Sequence, residues 1–116
     1  MASPGYSSKI CMRYQQAVEL LGKRWTGLIV QVLLDGPLRF NELQEKLEVV
    51  SDRMLSERLK ELEGAGVIHR EVSPDPPVRV VYSLTEKGRA LDHVVRAIAT
   101  WAENWVSQPA RPRRRG

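Results

Sequence analysis

The chain has 116 residues, 42% of them apolar, enough for one compact domain but not two. No run approaches the ~18 consecutive apolar residues of a membrane span, residues 1–9 hold no apolar export core, and the single cysteine, Cys11, rules out an intramolecular disulfide framework, so the cytoplasm is the expected compartment. Of 18 basic residues, Arg111, Arg113, Arg114 and Arg115 crowd the end, and the remaining 14 match the 14 acidic ones; the net +4 is therefore no evidence for nucleic acid, and charge placement must carry that argument.

Residues 1–9 are polar and read as a flexible N-terminus. From Ile10, apolar residues recur at helical spacing through Tyr14, Ala17 and Leu21, and Gly22 closes this helix. A second helix is expected over about 26–35, with Trp25, Leu28, Ile29, Val32 and Leu33 on one side; Asp35-Gly36-Pro37 stops it. A short third helix covers 40–47, with Phe40, Leu43 and Leu47 inward. Ser51 is a good N-cap for a fourth helix over 52–63, which ends in Gly64-Ala65-Gly66. Two strands follow, 67–73 and 79–84, around the rigid turn Pro74-Asp75-Pro76-Pro77. Thr85 caps a long last helix over 86–106, and 107–116 read as a disordered basic tail. The fold class is mainly α with a small β-hairpin (α+β). Short helix, tight turn, longer helix and hairpin is the winged helix-turn-helix plan, here over 10–106.

On the fourth helix, Leu55, Leu59 and Leu62 form the inward stripe at ~100° per residue. Arg53, Glu57 and Lys60 lie opposite, flanked by Ser56 and Met54. Apolar anchors with extended donors opposite are what a helix in the major groove needs. Ser51 and Arg53 lie at the end that points into the groove; Arg53 could reach guanine and Glu57 could accept from cytosine. By itself this is also the pattern of a solvated amphipathic helix; the adjoining short helix and hairpin favour the reader. On the wing, Arg79 could enter a minor groove or hold a phosphate, or be a plain surface arginine. Lys23 and Arg24 are further candidates for phosphates.

The last helix repeats Leu91, Val94, Ile98, Trp101 and Trp105 in steps of 3, 4, 3 and 4, a heptad seam that Val95 and Ala102 widen. Ile10, Tyr14, Ala17 and Leu21 follow the same steps. The economical reading is that both helices pack on each other and on a symmetry mate; the alternative is a last helix folded back on its own domain.

Four segments resemble the HxlR-type regulators, of MarR-like winged-helix architecture: Leu21 to Trp25, Asp35 to Leu43, Ser51 to Glu63 and Tyr82 to Gly88. They keep their spacing over roughly residues 11–105. The resemblance implies a homodimer joined through the first and last helices on double-stranded operator DNA, without a cofactor or metal. It matches Ser51, Arg53, Met54, Ser56 and Lys60 to the recognition helix and Arg79 to the wing. Val81 and Ser73 depart from it, where acidic and aromatic residues are common. Cys11 matches a cysteine many members carry, and Leu21-Gly22-Lys23-Arg24-Trp25 is similar to the YodB-like branch, repressors that sense quinones and thiol oxidants. No second cysteine stands near Trp105-Val106-Ser107.

The chemistry of Cys11 agrees in part. A helix N-terminus and the flanking Lys9 and Arg13 favour the thiolate; the other reading is a small buried hydrophobe. An enzyme is disfavoured: His69 and His93 lie on a strand and a distant helix, no pair has metal-ligand spacing, and Gly64-Ala65-Gly66 is no dinucleotide fingerprint. The expected function is a DNA-binding repressor, with Cys11 as a candidate switch. The rivals are a winged helix that binds only proteins, and a regulator with a non-thiol inducer.

Overall fold

A computed structural model describes residues 8–108, with side chains from Met12 onward. The expected basic tail and loose N-terminus lie largely outside the described residues, as do the side chains of Ile10 and Cys11. The elements are α1 (Ser8–Leu21), α2 (Thr26–Leu33), β1 (Leu38–Arg39), α3 (Phe40–Lys46), α4 (Asp52–Gly64), β2 (Ile68–Ser73), β3 (Arg79–Leu84), α5 (Glu86–Arg89) and α6 (Asp92–Trp105). The strands form an antiparallel sheet in the order β1-β3-β2.

The apolar periodicity becomes a single core. Ile29, Val30 and Leu33 of α2 meet Leu43 of α3, Leu55, Leu59 and Leu62 of α4, Ile68 and Leu84 of the sheet and Val95 of α6, all buried. Burying side chains of this size contributes ~1.5–3 kcal/mol each. Helix α2 departs from expectation: Val30 is buried and Leu28 is 41% exposed, because α3 and α6 cover it from different sides. It also stops at Leu33, with Gly36 at φ 143 turning the chain before Pro37.

Two elements correct the sequence reading. Leu38–Arg39 is a strand, pairing Leu38 with Tyr82 and Arg39 with Val81. The long last helix is two helices. Its first turn is tied to the turn after α4: Thr85 Oγ1 accepts from Gly88 N at 3.1 Å and donates to the Gly66 carbonyl at 2.6 Å, and Lys87 Nζ donates to the Ala65 carbonyl at 2.7 Å. The ladder then tightens, Leu91 N donating to the Gly88 carbonyl at 3.0 Å, before α6 sets off to lay Val95 into the core. Val95 thus belongs to the chain's own interior rather than to the outward apolar stripe of α6. Leu91 lies in the turn, half-buried against the same core.

Candidate nucleic-acid interface

Helix α3 begins where the backbone N–H of Arg39 donates to Glu42 Oε1 at 2.8 Å. Residues 47–50 then turn the chain, burying Leu47 and Val50. Ser51 caps α4 as expected, its Oγ accepting from the backbone N–H of Met54 at 3.1 Å. With Leu55, Leu59 and Leu62 fixed inward, Arg53, Ser56, Glu57 and Lys60 fall on one exposed face. Arg53 Nε lies 3.5 Å from Glu57 Oε1. So exposed a pair holds little energy, which leaves both groups free to exchange partners. Met54 is half-buried against the core, and the Ser51 hydroxyl is engaged as a cap.

The wing splits its residues by the two-residue period of a strand. Ile68 and Leu84 are partners and point inward, so the next pairs on that face are Arg70 with Tyr82 and Val72 with Val80. Arg79 pairs with Ser73, on the opposite face with Glu71 and Val81. It is exposed, but it is not the wing arginine nearest α4. Arg70 is: with Tyr82 it faces Ser56, Lys60 and Glu63 across a cleft of about 410 Å³. Counting twos from Ile68 would have found it.

Arg58 is a second residue that sequence reasoning missed. Its side chain is 13% exposed; Nε donates to the Arg24 carbonyl at 2.8 Å and Nη1 to Glu61 Oε1 at 3.1 Å. Lys23 Nζ pairs with Glu61 Oε2 at 3.1 Å, and the Arg24 guanidinium lies 4.7 Å from the centre of the Trp25 ring, so both candidate phosphate contacts have partners within the chain. Trp25 itself is left-handed, φ 75, a conformation that needs such support. Arg58→Ala should cost ~2 kcal/mol by denaturant unfolding, as charged hydrogen bonds in a half-dry site do. Arg58→Lys should recover only part, since an ammonium cannot form the fork. Parent-like stability in Arg58→Ala would show that this link is idle.

Helices α1 and α6 leave a large apolar surface uncovered. Tyr14 is 70% exposed, Ile98 55%, Trp101 60% and Trp105 75%. Between the helices runs a groove of about 490 Å³ lined by Tyr14, Ala17, Val18, Leu21, Val94 and Ile98. The Cα radius of gyration is 16.2 Å, against about 13 Å for a compact chain of ~100 residues.

A short helix, a turn, a capped helix with a polar outer face and a ribbon beyond it define a winged-helix DNA-binding regulator. The HxlR-like helix-turn-helix family matches residues 20–110, and the chain belongs to that family of transcriptional regulators, which are not enzymes. Among similar proteins, the uncharacterized HTH-type transcriptional regulator YvaP of Bacillus subtilis is 50% identical over 99 residues, covering 85% of this chain and 92% of YvaP. The reduced form of the transcriptional regulator YodB from B. subtilis is 44% identical, with a TM-score of 0.73 over 95% of this chain and 100% of that one. Quinone-bound YodB is 46% identical, with a TM-score of 0.70 over 80% and 97%. Among the described residues no helix is long and apolar enough to cross a membrane.

Proposed function

We propose that this chain is a cytoplasmic repressor that binds a palindromic operator as a homodimer and is released when a quinone or oxidant modifies Cys11. The observation that carries the DNA reading is the outer face of α4, with Arg53, Ser56, Glu57 and Lys60 presented beside the wing. Residues 10–106 act as one DNA-binding and dimerisation unit. Two-fold pairing through α1 and α6 sets the two reading helices ~34–36 Å apart, one turn of the duplex. Arg79 reaches flanking DNA from the wing tip, and the basic tail adds affinity without sequence preference.

Support for the switch comes from the quinone-bound form of YodB and from the place of Cys11 in the first turn of α1. The thiolate sulfur adds to a ring carbon of the quinone, whose ring takes up a proton and becomes a hydroquinone thioether. Oxidation by diamide, which takes up two electrons and two protons to become the hydrazine, instead joins the Cys11 sulfur to that of a small thiol or, if the two Cα atoms lie within ~7 Å across the two-fold axis, to the second subunit's copy of Cys11. Either product adds bulk to a dimer helix, and a small shift there changes the spacing of the reading helices.

The test is a gel shift on the promoter region beside its own gene, with and without benzoquinone or diamide. The parent should bind in a salt-dependent way and be released on treatment; Cys11→Ser should bind as well but ignore both reagents. Release of Cys11→Ser would make the cysteine structural. No salt-dependent duplex binding by the parent would leave a protein-interaction module.

A further inference from the structure

The cleft between α4 and the wing brings together groups that the chain does not neutralise. Ser56, Lys60 and Glu63 stand on one stripe of α4, at i, i+4 and i+7. Arg70 and Tyr82 are directly opposed on β2 and β3, so their side chains run together on the face turned to that stripe. Elsewhere the basic residues near α4 have partners: Arg58 and Lys23 share Glu61, and Arg53 has Glu57. Lys60 and Arg70 are in no ion pair among the described residues, and the hydroxyls of Ser56 and Tyr82 make no hydrogen bond there. Two cations facing one cleft repel each other unless an anion joins them, and the single carboxylate lining it, Glu63, pairs with neither.

We propose that this cleft is a seat for one DNA backbone phosphate, with Arg70 as its principal ligand. Lys60 completes the charge, and the hydroxyls of Ser56 and Tyr82 donate to the remaining oxygens. Tyr82 is the direct cross-strand partner of Arg70 and lines the same cleft. Arginine suits this position because its fork matches two phosphate oxygens at once. The seat spans α4 and the wing, so a bound phosphate fixes how the reading helix enters the groove. The inference rests on the DNA-binding reading above and deepens it, since it moves the main wing contact from Arg79 at the tip to Arg70 at the root.

The experiment compares the parent, Arg70→Ala, Arg70→Lys and Arg79→Ala on two duplexes, the promoter region and a random sequence, between roughly 50 and 200 mM salt. Arg70→Ala should weaken both duplexes by the same factor, about tenfold. Its salt slope should flatten by about 0.9 for each phosphate left without its arginine, near two for a two-fold dimer. Arg70→Lys should keep most of the slope, and Arg79→Ala should change less than Arg70→Ala. Arg70 is exposed, so an unaltered melting curve is expected and separates this result from unfolding. Binding by Arg70→Ala equal to the parent's, or a loss confined to the promoter sequence, overturns the phosphate seat while leaving the regulator reading intact. A parent that binds neither duplex overturns both.

Discussion

Ile98→Glu should convert a dimer into monomers and abolish operator binding. Ile98 is 55% exposed in the protomer and shares the α1–α6 groove with Tyr14 and Val94. A carboxylate there meets water in the monomer and costs the protomer little. In a two-fold interface the same carboxylate, with its symmetry copy close by, would be buried unpaired at a cost of several kcal/mol. The dimer dissociation constant should rise at least ~100-fold, about 2.7 kcal/mol. Each monomer would retain one reading helix and lose the second half-site, so the gel shift should vanish at concentrations that saturate the parent. Sedimentation and the circular dichroism spectrum separate the outcomes: monomers with unchanged helix content are expected. A variant that still sediments as a dimer, or a parent that is itself monomeric at micromolar concentration, would remove α1 and α6 as the assembly surface.

Gly88→Ala should be among the most destabilising single changes in the chain. An added Cβ would lie 2.1 Å from the Val67 carbonyl oxygen, 3.2 Å from its carbon and 3.0 Å from Leu84 Cδ2. The obstacle is backbone, and it cannot swing aside: the Val67 carbonyl accepts from Thr85 N at 3.0 Å, and Val67 N donates to the Leu62 carbonyl at 2.9 Å. Relief requires α5 to lift off the end of α4, breaking the Thr85 and Lys87 hydrogen bonds to the Gly66 and Ala65 carbonyls. A loss of about 3 kcal/mol is expected, at the upper end for overpacking. For a domain of this size that lowers Tm by more than ~10 °C. Alanine is the better helix former, so a purely local view expects the opposite sign. Calorimetry showing unchanged or raised Tm would mean that α5 does not lie against Val67 in solution.

These two positions show which kinds of feature sequence alone made legible. The exposed stripe through Ile98, Trp101 and Trp105 follows from spacing, because a helix repeats every 3.6 residues whatever it packs against. The same periodicity placed Leu55, Leu59 and Leu62 inward and therefore Arg53, Glu57 and Lys60 outward. Caps were equally readable, since Ser51 and Thr85 act on backbone N–H groups three residues away. Arg70 is within reach of the same reasoning, two residues from the inward Ile68, whereas Arg79 stands out in sequence only by its place beside the proline turn.

What depends on partners distant in the chain was not legible. Leu38–Arg39 is too short to show alternation and is a strand only because Tyr82 and Val81 offer their backbone edge. Nothing between Arg89 and Asp92 breaks a helix locally; the break arises because Gly88 is held against Val67 while Val95 must reach α2. Arg58 became a clamp because folding brings the Arg24 carbonyl to its guanidinium from 34 residues away. The sequence by itself determined where most of the helices start, the inward and outer faces of α4, the exposed stripe of α6 and the Ser51 and Thr85 caps, since each is a contest among groups a few residues apart. Only the tertiary structure decided the third strand, the divided last helix, the Arg58 link and the Arg70 cleft, since each exists only where two distant segments meet and the energy of the contact outweighs local preference.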